Sequence, residues 1–61
     1  MKLNLKEWRR AKGISRASLA SQIGVSPTTM ARWEDDPDKV PIGKVLLVCD
    51  TLGVNINDVS F

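Results

Sequence analysis

Sixty-one residues carry nine Lys and Arg against seven Asp and Glu, a net charge of +2, with 43% hydrophobic and 26% charged residues. A chain of that length buries only about 60% of the surface its unfolded form exposes, so a single domain over residues 1–61 with a marginal core is expected. This globular composition excludes disordered and membrane classes, the apolar run Val45-Leu46-Leu47-Val48-Cys49 is too short to span a bilayer, and the lysine-bearing N-terminus lacks an apolar signal core.

Apolar residues recur at three- and four-residue spacing and period-two alternation never persists, so the pattern predicts five short helices and no strand. The first runs from about Asn4 to Lys12, with Leu5 and Trp8 inward and Gly13 as its stop. A second starts at the N-cap Ser15, buries Leu19, Ala20 and Ile23, and turns at Gly24. The third follows at once, because Ser26 as cap and Pro27 in the first helical position form a strong start signal; it ends near Asp35. Asp35 to Val40 reads as a loop, and Pro41 opens a fourth helix that ends at Leu52 before Gly53. A fifth is expected over Ile56 to Ser60, with Asn55 as cap and Asp58 completing a capping box.

Charge is unevenly divided. Met1 to Trp33 hold seven Lys or Arg and one acid, a balance of +6, while Glu34 to Phe61 hold two Lys and six acids, a balance of −4. The basic half suits either a polyanionic partner or a solvated surface, and charge alone does not separate the two. Cys49 has no partner for an internal disulfide, and the absence of histidine removes the usual zinc-ligand sets. The acids Glu34, Asp35, Asp36 and Asp38 lack the ligand spacing and central glycine of a calcium loop and read as solvated. No cofactor is expected, nor an enzyme: His and Tyr are absent, Cys49 falls on an apolar helix face, and no Ser or carboxylate pair has an activating base.

Only Gly24 and Val25 separate Ile23 from Ser26, so the second and third helices must meet at a steep angle, with Gly24 supplying a positive backbone dihedral. That arrangement is a helix-turn-helix. At about 100° per residue, Thr28 and Arg32 share one face of the third helix, flanked by Thr29 and Ala31, while Met30 and Trp33 point elsewhere. A guanidinium there can donate two parallel hydrogen bonds to guanine, and a threonine can meet a base, a phosphate or a thymine methyl. Arg16, in the first turn of the second helix, falls where that helix crosses a DNA backbone, so it positions more than it specifies.

From Leu5 to Val59 the chain resembles the phage repressor and Cro type of helix-turn-helix domain, also called the xenobiotic-response-element family. The likeness rests on Leu5-Lys6-Glu7-Trp8-Arg9, Lys12-Gly13-Ile14-Ser15, Leu19-Ala20, Ile23-Gly24-Val25-Ser26, Arg32-Trp33-Glu34 and Leu52-Gly53-Val54. It implies an all-α fold, a compact five-helix bundle of the lambda-repressor-like kind, whose third helix reads the major groove and which works as a homodimer on a two-fold symmetric double-stranded operator. By position, Arg16, Ser26, Pro27, Thr28, Thr29 and Arg32 match its DNA-facing places, and Arg9 with Glu34 match a buried ion pair. Pairing also explains why Glu34 is the one polar residue on the helix face of Met30 and Trp33.

Two departures stand out. Family members often carry a polar amide at the start of the second and third helices, where this chain has Arg16 and Pro27, so readout leans on Thr28 and Arg32. The loop after the third helix, commonly basic, is acidic here; either it turns from DNA, leaving Lys39, with Lys44, as weak phosphate contacts, or binding is weaker. On the fourth helix Ile42, Val45, Leu46, Val48, Cys49 and Leu52 are expected to form one inward arc with Leu47 opposite. Leu47, Val54, Val59 and Phe61 are then the expected dimer patch.

The expected function is a cytoplasmic, sequence-specific regulator of transcription, a small Cro-like or repressor-like protein of phage or prophage origin acting by operator occupancy. With no room for a ligand-sensing domain, control through protein concentration rather than a small-molecule effector is expected. The alternative is an interaction module of the antitoxin kind, using the same fold to bind a protein.

Overall fold

The computed structural model describes residues 2–61. Four α-helices are present: α1 (Leu5–Ala11), α2 (Arg16–Ile23), α3 (Pro27–Asp35) and α4 (Ile42–Leu52). Short 3₁₀ turns occupy Pro37–Lys39 and Ile56–Asp58, and two-residue strands, β1 (Leu3–Asn4) and β2 (Val59–Ser60), lie at the two ends.

Local chemistry sets most of these boundaries. The Asn4 side chain accepts from the Glu7 amide at 2.8 Å while Glu7 Oε1 accepts from the Asn4 amide at 2.9 Å, a reciprocal cap that starts α1. Ser15 and Ser26 cap α2 and α3 by accepting the amides of Ser18 and Thr29. Gly24 ends α2 with φ of 84°, and its amide donates to the Ala20 carbonyl at 2.9 Å. An added Cβ at Gly24 would meet nothing within 4 Å, so glycine is needed there for conformation, not space.

The core is built around α2, which packs on both α3 and α4. Leu19, Ala20 and Ile23 meet Met30 and Trp33 from α3, Val48 and Leu52 from α4, and Leu5 from α1. Val40 is buried with them and pins the segment between α3 and α4. Cys49 is also buried, and burial, reinforced by the Asp50 charge, pushes its thiol above the ordinary range, so it is a small core residue without thiolate character.

Five expectations are corrected. Among the described residues there are four α-helices, not five, and there are strands: β2 runs parallel to β1, with Leu3 opposite Val59 and Asn4 opposite Ser60. The five residues expected as a last helix cannot offset the cost of a helical nucleus; instead Ile56–Asp58 close a 3₁₀ turn and Val59–Ser60 join the ladder, with Val59 buried. The expected capping box is absent as well, since the Asn55 side chain accepts from the Asn57 amide at 2.8 Å while the Asp58 amide bonds the Asn55 carbonyl. Trp8 strengthens this junction by donating from Nε1 to the Asp58 carbonyl at 2.7 Å.

The last two corrections concern α4 and the patch expected beside it. Val48, Cys49 and Leu52 are buried and Val45 is half-buried, but Ile42 is 92% and Leu46 61% exposed. The inward arc is narrower than the run of apolar residues, because Ile42 and Leu46 lie roughly 70° and 110° round the helix from its centre. Nor do Leu47, Val54, Val59 and Phe61 form one patch. Val59 is buried, Val54 packs against the core, and Leu47 and Phe61 alone are exposed.

Candidate nucleic-acid interface

Gly24 and Val25 set the angle between α2 and α3. The Val25 amide donates to the Ala20 carbonyl at 2.9 Å, and the Val25 side chain packs on the core, so the turn is bolted from inside. From it α3 emerges with two unlike faces. Met30, Trp33 and Glu34 are buried, whereas Ser26, Pro27, Thr28 and Arg32 are exposed and Thr29 is half-buried.

The hydroxyls differ in freedom. Ser26 Oγ accepts the Thr29 amide and donates to Thr29 Oγ1, both at 3.1 Å, so these two groups first build the cap. The Thr29 hydroxyl proton stays available for a ligand. Thr28 and Arg32, one helical turn apart, stand beyond that cap as an exposed hydroxyl, methyl and guanidinium. Pro27 adds an apolar ring at the tip.

Behind this face lies a charged cluster. Glu34, its side chain fully buried, accepts from Arg9 Nε at Oε2 and from Arg9 Nη2 at Oε1, the latter at 3.4 Å. Arg9 Nη1 donates to the Ile14 carbonyl at 2.9 Å, so every edge of that guanidinium is used. The pair therefore joins α1 to the end of α3. A third member was not visible in the sequence: Arg16 Nε donates to Glu34 Oε1 at 3.0 Å, with the Arg16 side chain 41% exposed. The signal available was indirect. A cation in the first turn of a helix opposes the dipole there, which calls for a carboxylate nearby, and Glu34 is the inward one.

Lys39 is exposed on the 3₁₀ turn after α3, and Lys44 is half-buried in α4. Asp35, Asp36 and Asp38 are exposed around that turn. Asp36 and Asp38 share a hydrogen bond that pushes the Asp36 carboxyl above the ordinary range and holds Asp38 below it. Lys12, on α1, is held over the Trp8 ring with Nζ 5.9 Å from its centroid. Among the described residues no group of three or more His, Cys, Asp or Glu could hold a metal ion, and no helix is long and apolar enough to cross a membrane.

A fixed two-residue turn, a capped second helix and an outward polar face are the parts of a helix-turn-helix unit. The chain belongs to the Cro/C1-type helix-turn-helix DNA-binding domain family, whose model matches residues 4–60. It is 40% identical over 52 residues to a Haemophilus influenzae protein named an uncharacterized HTH-type transcriptional regulator, covering 85% of this chain and 51% of that protein. Among solved structures it is similar to a chain described as "Crystal Structure of FeII HppE", with a TM-score of 0.80 and 29% identity over 88% of this chain and 29% of that one. The chain thus spans about half of the first relative and under a third of the second. The iron named in that description belongs to that protein.

Proposed function

We propose that this chain is a sequence-specific, double-stranded DNA-binding regulator of transcription, a Cro-like or repressor-like protein of phage or prophage origin that acts by occupying an operator. The observation that carries this reading is the exposed Thr28 and Arg32 on a helix whose other face is locked into the core. Arg32 reads a guanine through its planar fork, Thr28 contacts a base edge or methyl, and Pro27 offers only an apolar contact. Ser26, Thr29, Arg16 and Lys39 meet sugar-phosphate oxygens and fix the register.

One short reading helix gives limited selectivity, so two copies bind, their α3 helices about 34 Å apart on one side of the duplex. The second copy is best accommodated on the outer face of α4. Ile42, Leu46 and Asp50 recur every four residues there, all exposed. In an antiparallel pair centred on Leu46, each Asp50 approaches the start of the partner's α4, whose Pro41 cap provides no side-chain acceptor for the first amides. The same apolar face favours a second reading, an antitoxin-like module that binds a different protein there.

Selection from random duplexes tests the proposal. The expected product is a two-fold symmetric site with half-sites one helical turn apart, bound in a salt-sensitive manner. Arg32→Ala relaxes the preference at one base pair per half-site and costs about 1–3 kcal/mol there. Recovery of no preferred sequence, with salt-insensitive or absent binding, sinks the regulator and leaves the interaction module.

A further inference from the structure

Arg16 is held in a way that leaves half of its guanidinium for something else. A guanidinium offers two hydrogen-bonding edges, one made by Nε with an Nη and one by the two Nη groups. Glu34 takes Nε at 3.0 Å, and among the described residues neither Nη of Arg16 makes a hydrogen bond. The side chain remains 41% exposed, and no buried side-chain nitrogen or oxygen among the described residues lacks a partner, so these Nη groups reach solvent. Glu34 itself is inaccessible and already neutralised by Arg9, which makes the three-residue cluster +1 toward the outside.

We infer that Glu34 is a positioning residue for DNA binding, holding Arg16 by one edge so that its two Nη groups form a preset clamp for a single backbone phosphate. This rests on the DNA-binding reading, which already sets Arg16 at the sugar-phosphate backbone, and adds to it a role for Glu34 and a reason for the geometry of the contact. An arginine on the surface must give up rotamer freedom when it grips a phosphate; Arg16 has lost much of it on folding. The placement at the first residue of α2, where the helix end is positive, favours an anion at the same spot. A lysine carries the same charge but a single nitrogen, and cannot hold Glu34 and a planar pair of phosphate oxygens together. Simple Coulomb attraction makes the opposite demand: lysine should serve as well as arginine, and neutralising Glu34 should tighten binding.

The test measures equilibrium binding of the full chain to the selected duplex across a salt series for Arg16→Lys, Arg16→Gln and Glu34→Gln, with thermal melts to establish that each is folded. Arg9 continues to hold Glu34 in both Arg16 variants, so they keep the fold. The expected result is an affinity loss of about tenfold for Arg16→Lys as well as Arg16→Gln, with both salt slopes shallower than wild type by about 0.9. Glu34→Gln, where folded, binds more weakly despite its added positive charge, and loses nothing further when combined with Arg16→Gln. Arg16→Lys binding within twofold of wild type at an unchanged salt slope overturns the inference, as does tighter binding by Glu34→Gln. If Glu34→Gln does not fold, the Arg16 pair decides alone. Absent binding by the wild type defeats the DNA-binding reading itself, whereas wild-type binding matched by Arg16→Lys defeats this inference only.

Discussion

α3 and α4 both pack on α2, yet their outer faces carry opposite chemistry. The nine residues of α3 present Thr28 and Arg32 to solvent, and the eleven of α4 present Ile42, Leu46 and Leu47. Packing explains the inner faces of both, since Met30, Trp33, Val48 and Leu52 share one core. It does not explain the outer faces, which fold equally well with other residues. On the proposed reading these faces serve partners: hydrogen-bonding groups for a polyanion on α3, and a strip that gains by leaving water on α4. The helices also begin differently, α3 from a Ser26 cap and α4 from Pro41, which has no side-chain acceptor.

The largest effect that separates the two helices is expected at the base of α3. Arg9→Ala leaves the buried Glu34 carboxylate with Arg16 alone, and should cost roughly 3–5 kcal/mol. At about 0.05–0.15 kcal/mol per residue the whole chain has only about 3–9 kcal/mol to lose, so denaturant melts should show it largely unfolded. An unmoved midpoint would show that α3 is held by its apolar contacts alone. No such anchor exists on the outer side of α4, where Leu46→Asp is expected to leave the melt nearly unchanged while lowering affinity for a paired site about tenfold or more. Sedimentation should then report a single copy on DNA. Equal binding of this variant to paired sites would remove α4 from the proposed dimer. The smallest effects lie at the caps: Ser26→Ala should cost about 1 kcal/mol, whereas Pro41→Asp should gain roughly 0.5 kcal/mol, because a new acceptor is partly offset by the loss of proline's fixed dihedral. Melts of the two variants shifting in the same direction would refute the contrast.

The boundaries of α2 to α4 are legible because they are written in neighbouring residues: Ser15 as a cap, Ser26 with Pro27, Pro41, and the glycines that follow α2 and α4; the reciprocal Asn4–Glu7 cap that starts α1 is a finding of the structure. The β1–β2 pair was not legible, since two residues per strand show no alternation and the partners, Leu3 and Val59, lie at opposite ends of the sequence. The arc of α4 was overdrawn for a different reason. A helical projection shows which residues are apolar but not how many neighbours reach round to cover them, and nothing reaches Ile42. On the interface side, the Arg9–Glu34 pair was suggested by the resemblance, while Arg16 was placed only as a phosphate contact. Its bond to Glu34 joins positions eighteen residues apart and depends on the angle of the two-residue turn, which residue types alone do not specify.

The parallel pairing of β1 and β2 has a mechanical consequence. Leu3 leads into the molecule and Ser60 leads out of it along the same direction, so tension applied to the two chain ends pulls the strands past one another rather than apart. In that shearing geometry the bonds of the ladder share the load and fail together, with Trp8 adding its grip on the Asp58 carbonyl. A sheet of two residues per strand is thus placed to act as a latch against stretching.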